Sequence, residues 1–453
     1  MLGKFIGWVS RVLSVGGGST LPGRLARYMD PGFVTEMAGR LAKGCLLVTG
    51  TNGKTTTSAL IASILRNAGM PPVHNSTGAN LMAGIASAFI RESDRYGHLP
   101  CSIGLFEVDE ATLPAAISET SPRLVLINNL FRDQLDRYGE LDTLASRMEQ
   151  AVAGMEANSI VVLNADDPLV ASIGRGLKQE VVYYGLEGHR YASTSMQHAA
   201  DSKHCSDCGH RLEYEYYLFG HMGAYRCPSC GLERPHPRVA ATGLKMEGMK
   251  GTRCTVTYPG GSAEVFVPLP GLYNVYNALA AVTATLSLGV DPETVFESMQ
   301  TFTAAFGRVE RVSAGDRDIL VILAKNPAGF NEVIRTLCEE PSRKTVLLAL
   351  NDLIADGRDV SWIWDVDFEM FRGKVGRLIC SGIRALDMAL RVKHAEMEQD
   401  SLQIEKNLAA ALDLGLGSVD PGETLYVVPT YTAMLELRRV LASRGLVAPY
   451  WEG

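Results

Sequence analysis

The chain predicts a parallel, doubly wound α/β sheet followed by a smaller Rossmann-like unit, and three observations carry the prediction. Short apolar runs alternate with helical patterns from residue 45 onward, the alternation starts afresh after residue 313, and the first run ends in a glycine-rich turn that opens a helix. Strand and helix in alternation are the mark of parallel sheets joined by crossover helices.

The first set of strands is expected at Cys45 to Val48, Ser102 to Val108, Leu124 to Asn128, Ile160 to Leu163 and Val181 to Tyr183. Polar residues at strand ends, Glu107 after the second run and Asn129 after the third, fall where open α/β sheets place their ligands. Residues 185 to 260 break the pattern with polar, glycine-rich and cysteine-containing sequence. A helix resumes at about 273 to 288, where Asn274 and Asn277 precede an alanine-rich stretch. Runs at Ile319 to Leu323, Thr345 to Leu350, Arg377 to Cys380 and Thr424 to Val428 build the second unit. The expected division is a central domain over 1–312 and a C-terminal Rossmann-like domain over 313–453.

The first run, Leu46-Leu-Val-Thr-Gly-Thr-Asn-Gly-Lys-Thr-Thr-Thr57, has the composition of a phosphate cradle. Backbone N–H groups bared by Gly50 and Gly53, with the positive end of the following helix, suit phosphate oxygens. Lys54 is placed to bridge the β and γ phosphates of a nucleoside triphosphate and Thr55 to hold Mg²⁺, with Thr51, Asn52, Gly53 and Thr56 completing the loop. The general Walker pattern wants a glycine where this chain has Val48, so the loop belongs to a narrower class.

With 43 basic and 50 acidic residues the net charge is −7, which argues against broad electrostatic binding to nucleic acid. No apolar run reaches the roughly 18 to 20 residues that span a bilayer, and the N-terminus has no signal-peptide core, so a cytoplasmic protein is expected. Phe5, Ile6, Trp8, Val9 and Leu13, set among Lys4 and Arg11, form either a packed helix or an amphipathic one that touches the inner membrane face.

Cys205-Ser-Asp-Cys208 is followed, after eighteen intervening residues, by Cys227-Pro-Ser-Cys230, and each pair is followed by a glycine, Gly209 and Gly231. This is zinc-ribbon spacing: four thiolates reach one Zn²⁺ and leave no position open, so the metal would be structural. The ribbon is expected over about residues 201–235. A disulfide pair is the competing reading, disfavoured in a cytosolic chain. Acidic residues cancel the basic ones across the insertion, so nucleic-acid binding there is disfavoured.

Further segments follow in order. TGTNGKTT occupies 49–56; Phe106-Glu107-Val108 ends a strand in a glutamate; Asn129-Leu130 precedes Arg132-Asp133-Gln134-Leu135-Asp136 and Gly139; Asn164-Ala165-Asp166-Asp167 closes another strand; Gly271, Asn274 and Asn277 open a helix; Gly307-Arg308 precedes Glu310. This ordered set resembles the Mur ligase and folylpolyglutamate synthase superfamily. The resemblance implies ATP-dependent activation of a carboxylate, with Glu107 joining Thr55 at Mg²⁺, Asn274 and Asn277 meeting the adenine, and Arg308 contacting phosphate or nucleotide. Helix capping is the competing role for the two asparagines, and a surface salt bridge for Arg308. Asp133 and Asp136 either order the site or are solvated loop carboxylates. His74 could approach the phosphates or substrate, as a lone loop histidine.

Departures narrow the resemblance. Ordinary Mur ligases carry a uridine-nucleotide-binding domain of about 100 residues ahead of the loop, whereas here the loop starts at residue 50. Gln134 stands at the family's metal-ligating histidine, and Ile322-Leu-Ala-Lys-Asn-Pro327 replaces its DYAHNP, so the ribose-binding aspartate has no counterpart. The zinc-ribbon insertion, AKNPAGFNEV at 324–333, ADGRDVSWIWD at 355–365 and PTYTAM at 429–434 are together similar to the MurT family, the synthetase subunits of lipid II isoglutaminyl synthase.

That resemblance implies amidation of the α-carboxylate of D-glutamate in the lipid II stem peptide to D-isoglutamine, through an acyl phosphate. ATP drives the reaction, and ammonia comes from a GatD-like glutamine amidotransferase subunit docked on the C-terminal domain. An aspartate of this chain, one of Asp356, Asp359 and Asp365, would complete the glutaminase's Cys-His pair. Trp362 and Trp364 beside them are interface anchors or core residues. The chain's paired cysteines are assigned to zinc, so its own sequence supplies no convincing glutaminase nucleophile. The alternative is a ligase of the same superfamily that adds an amino acid; a zinc-ribbon ATPase engaging nucleic acid is a third reading.

Overall fold

The computed structural model describes residues 20–76, 78–132, 141–188, 190–193, 200–302, 309–339, 342–397 and 401–447. The amphipathic segment 1–13, Asp133, Gln134, Asp136, Gly139, Gly307 and Arg308 lie outside them.

The chain builds β1 (Cys45–Thr49), β2 (Pro72–His74), β3 (Ile103–Glu107), β4 (Leu124–Ile127), β5 (Ile160–Asn164) and β6 (Glu180–Leu186), all parallel. After an excursion carrying the hairpin β7 (Glu213–Phe219) and β8 (Met222–Arg226), it returns with β9 (Val239–Met246), β10 (Thr252–Tyr258) and β11 (Gly261–Val267). The nine-stranded order is β11-β10-β9-β6-β5-β4-β1-β3-β2. β9 is parallel to β6, whereas β10 and β11 are antiparallel. Residues 185 to 260 do break the alternation, as their polar composition predicts, but the sheet continues through them: they leave it and come back to extend it. The central strands are buried along their whole length, which is why they are continuous runs of Val, Leu and Ile.

Helix α1 (Lys54–Asn67) follows β1, and α2 (Leu272–Ser287) lies against it. Leu60, Ile61, Ile64 and Leu65 of α1 share one core with Ala278, Leu279, Ala281 and Val282 of α2. The alanines permit close approach, and Thr283 and Thr285 satisfy their buried hydroxyls on the carbonyls of Leu279 (2.6 Å) and Ala281 (2.8 Å).

A second sheet runs in the order β12 (Val309–Ala314), β13 (Arg317–Ile322), β17 (Thr424–Pro429), β14 (Lys344–Ala349), β15 (Val375–Ser381) and β16 (Leu402–Ile404). All its pairs are parallel except β12 with β13. Its first strand begins at Val309, four residues ahead of residue 313. Helix α3 (Pro327–Cys338) follows β13, capped by Asn326, whose Oδ1 accepts from the Gly329 N–H at 2.9 Å. Among the described residues no helix is long and apolar enough to cross a membrane.

Candidate active site

β1 delivers Gly50 to Gly53 to the end of the sheet, and two of these residues must be glycine. Both have positive φ, 127° and 84°. A Cβ on Gly50 would lie 2.9 Å from the Asn129 carbonyl oxygen, and one on Gly53 would lie 2.0 Å from Asn277 Oδ1. The loop is held from the end of β4: the Asn52 N–H donates to Asn129 Oδ1 (2.9 Å), Asn129 Nδ2 to the Asn52 carbonyl (3.2 Å), and Asn128 Nδ2 to Thr57 Oγ1 (3.1 Å). Thr51 Oγ1 donates to the Phe131 carbonyl at 3.1 Å and accepts from the Phe131 N–H at 3.0 Å. The Asn129-Leu130 segment is thus the buttress of the phosphate loop.

Lys54, at the first turn of α1, is buried and points back across the loop to the Gly50 carbonyl and to Glu110 Oε2, 2.9 Å away. Burial alone would lower its pKa, but the carboxylates of Glu110, Glu107 and Asp109 outweigh that and raise it. Glu107 ends β3 directly beside Val48, and its backbone is fixed on both sides by Asn75: N–H to Oδ1 at 2.9 Å, carbonyl from Nδ2 at 2.8 Å. Lys54 and Glu107 come together as the sequence predicts. Glu110 and Asp109, also buried, join them, and their one signal in the sequence is the acidic run Glu107-Val-Asp-Glu110 at a strand end. One buried cation facing several carboxylates fits a magnesium nucleotide: phosphates would take over the lysine and the metal the acids.

A pocket opens from the loop between α2 and α3, lined by Asn52, Gly53, Thr55 and Thr56 of the loop, by Asn274 and Asn277 of α2, by Phe219 and by Glu332 of α3. Asn277 Oδ1 accepts from Thr57 Oγ1 at 3.3 Å and its Nδ2 donates to Asn274 Oδ1 at 3.0 Å; Asn274 Nδ2 donates to the Pro270 carbonyl at 2.7 Å. The second sheet's unit closes the pocket, with Asn326 Nδ2 donating to Asn52 Oδ1 at 2.9 Å. His74 is instead buried at the end of β2, and burial, with Arg66 and Arg91 nearby, lowers its pKa to about 4.

Asp166 and Asp167 anchor the excursion. Asp167 caps the helix Pro168–Ile173 and accepts from the Leu130 N–H at 2.8 Å; Asp166 accepts from Tyr276 Oη at 2.6 Å and pairs with Arg234. His221, fully buried, lies 3.4 Å from Asp167, which more than offsets the lowering by burial and raises its pKa. In the cysteine knuckles the backbone repeats: the Cys205 N–H donates to the His210 carbonyl (2.8 Å) and the Cys227 N–H to the Leu232 carbonyl (2.6 Å), with Gly209 and Gly231 both at positive φ. The four sulfurs lie within 4.8 Å of one another, with 3.5 Å from Cys205 to Cys230 and 3.4 Å from Cys208 to Cys227. Sulfurs about 2.3 Å from one tetrahedral ion stand at nearly this spacing, so the residues fit zinc.

The three candidate aspartates separate. Asp356 is buried and engaged by Thr432, whose N–H donates at 2.9 Å and whose hydroxyl also donates. Asp359 is exposed and accepts from the Ser361 N–H (2.8 Å) and Oγ (3.0 Å), which lower its pKa. Asp365 lies 3.7 Å from Arg132 of the first unit. Trp362 is partly buried against Phe330, whereas Trp364 is 48% exposed. Glu310 accepts from Arg438 at 2.9 Å within the second unit.

A phosphate loop on a doubly wound sheet, roofed by a second α/β unit, is the Mur ligase architecture. Residues 48–225 match the Mur ligase middle domain and residues 323–434 the MurT ligase C-terminal family. Solved structures agree on the fold: a pseudomurein peptide ligase type C from Methanothermus fervidus superposes with a TM-score of 0.67 at 22% identity, covering 89% of this chain and 79% of that one. Folylpolyglutamate synthase from Mycobacterium tuberculosis gives 0.60 at 14%, covering 93% and 98%. The lipid II isoglutaminyl synthase (glutamine-hydrolyzing) subunit MurT of Staphylococcus aureus strain COL is 32% identical over 92% of this chain and 91% of its own length. The protein of the same description from Streptococcus pneumoniae strain R6 is 33% identical over 96% and 94%. The chain belongs to the MurT family of ligases.

Proposed function

We propose that this chain is the activating subunit of a lipid II isoglutaminyl synthase, amidating the α-carboxylate of D-glutamate in the stem peptide. The observation that carries the reading is the similarity, across nearly its whole length, to the MurT subunits of two organisms. A carboxylate does not accept ammonia, because oxide would have to leave. ATP therefore first transfers its γ-phosphoryl group to a carboxylate oxygen, breaking the bond to the β-phosphate oxygen and releasing ADP. Ammonia then attacks the carbonyl carbon, the tetrahedral adduct expels phosphate, and the attacking nitrogen gives up a proton to leave the amide.

Lys54 neutralises charge on the transferring group, and Thr55 with Glu107 would hold Mg²⁺, which would supply further positive charge to offset that of the phosphates. Asn274 and Asn277 line the same pocket and are assigned to the adenine; Arg308 is a candidate for a further nucleotide contact. Cys205, Cys208, Cys227 and Cys230 would hold Zn²⁺, which would stabilise the ribbon's fold.

Ammonia comes from a GatD-like glutaminase subunit on the second unit. Leu353, Ile354, Ile383, Leu386 and Leu390 are exposed there. The loops of Leu353, Ile354 and Ile383 are tied together by Ile383 N–H to Asn351 Oδ1 at 2.9 Å and Arg384 to Asp352 at 3.0 Å, beside the helix Ala385–His394 that carries Leu386 and Leu390, an apolar set suited to a partner. Of the three aspartates Asp359 is the exposed one, whereas Asp356 is engaged by Thr432 and Asp365 faces Arg132, and we assign Asp359 to the glutaminase's Cys-His pair. Asp359→Asn should then abolish glutamine-driven amidation and leave ammonium-driven amidation intact.

The test supplies ATP, lipid II and either ammonium or the glutaminase with glutamine, and follows phosphate release and the mass change of a carboxyl becoming a carboxamide. No amidation under either nitrogen supply overturns the proposal, and a product lengthened by an amino acid establishes the ordinary ligase instead.

A further inference from the structure

One carboxylate in the nucleotide pocket has no role in this mechanism. Glu332, on α3, is 1% exposed and lines the pocket on the wall formed with Ala328, Gly329 and Val333. Its Oε2 is held by Arg335, whose other Nη donates to the Leu218 carbonyl at 2.7 Å. Its Oε1 is buried without a hydrogen-bond partner, and among the described side chains lining the pocket it is the one with such an atom. Across the pocket Asn274 and Asn277 are bonded to each other and to their own surroundings.

A buried carboxylate oxygen left unmated costs free energy that packing does not return. A ligand donor that reaches it recovers this cost. A triphosphate over Gly53 to Thr56 would leave the remainder of the pocket, lined by α2 and α3 and including Glu332, to the nucleoside. We propose that Glu332 Oε1 accepts a hydrogen bond from the nucleoside of bound ATP, from a ribose hydroxyl or the adenine 6-amino group, and thereby makes the site selective for that nucleotide. The proposal rests on the pocket being the ATP site. A site built around such a bond rejects analogues that lack the donor, since the buried acceptor then stays unpaired.

The test is calorimetric titration of the full chain, with Mg²⁺, by ATP, 2′-deoxyATP, 3′-deoxyATP and ITP, which has no 6-amino group. One analogue should bind roughly 10- to 100-fold more weakly than ATP, and its identity tells which donor Glu332 meets. In Glu332→Gln the single amide oxygen stays with Arg335 and an NH₂ faces the pocket. ATP should therefore weaken by a similar factor and the discrimination should vanish. Glu332→Leu, of similar volume but without the acceptor, repeats the measurement should the glutamine variant not fold. Equal binding of all four nucleotides by the wild type, or discrimination retained in the variants, overturns the assignment while leaving the ATP site standing. No ATP binding by the wild type overturns both.

Discussion

His74 shows how a residue acquires its properties from where the sheet ends. At a loop position it would titrate as an ordinary imidazole, but β2 carries it under the surface, where Nδ1 has no hydrogen-bond partner among the described residues. Burial first, then Arg66 and Arg91, lowers its pKa to about 4, so the folded state holds it neutral. The unfolded chain binds a proton near its ordinary value of about 6.5, so the stabilisation is complete above that pH and is lost as pH falls toward about 4. Wild-type Tm should drop between these limits by more than that of His74→Gln, a difference of roughly 3 kcal/mol at the acid end; parallel profiles would refute it. Glu332 has the opposite sign: burial, partly opposed by Arg335, pushes it up to about 7. Its contribution is complete below the ordinary carboxylate value and is lost as pH rises through 7, a slope that Glu332→Gln should flatten. Lys54 and the four cysteines were legible in sequence because chemistry fixes their spacing. Glu110 and Glu332 were not, because their significance lies in being buried beside a partner brought from another part of the chain.

The hairpin β7 and β8 links the cysteine knuckles to the nucleotide pocket. At one end Cys205 and Cys227 are buried with Leu212 and Tyr225; at the other Phe219 stacks on Phe131, 5.6 Å between ring centres, and lines the pocket, while the Leu218 carbonyl receives Arg335. Loss of the metal should therefore be felt at the nucleotide. Cys205→Ser is expected to lower bound zinc and weaken ATP several-fold, measured together by metal analysis and calorimetry. A zinc-free chain that binds ATP as the wild type does would show the ribbon to be uncoupled. The sequence predicts this element's ligands but not its docking. The parallel strands were legible because burial on both faces demands continuous apolar runs. β10 and β11 were missed because a half-exposed antiparallel pair alternates, as Thr252–Tyr258 does, and its strongest signal was the Pro259-Gly260 turn between Tyr258 and Gly261.

At the scale of the whole molecule, two sheets meet over the phosphate loop, and among the described residues polar contacts join them: Asn326 with Asn52, Arg335 with Leu218, and Arg132 with Asp365. Periodicity reveals each sheet but says nothing of their mutual placement, since these contacts join residues far apart in sequence. Asn326 has two tasks, capping α3 and bridging to the loop, and they can be separated. Serine is as good an N-cap as asparagine but is too short to reach Asn52. Asn326→Ser should therefore keep Tm nearly unchanged while weakening ATP several-fold, because the roof of the pocket loses its tie to the phosphate loop. Asn326→Ala removes both tasks and should in addition lose about 1 kcal/mol of stability. Calorimetry of ATP binding beside thermal unfolding separates the two variants, and small-angle scattering with and without ATP tests the geometry. If Asn326→Ser binds ATP as tightly as the wild type and compacts equally on binding, the bridge does not govern closure, and the nucleotide itself must draw the second sheet's unit onto the first.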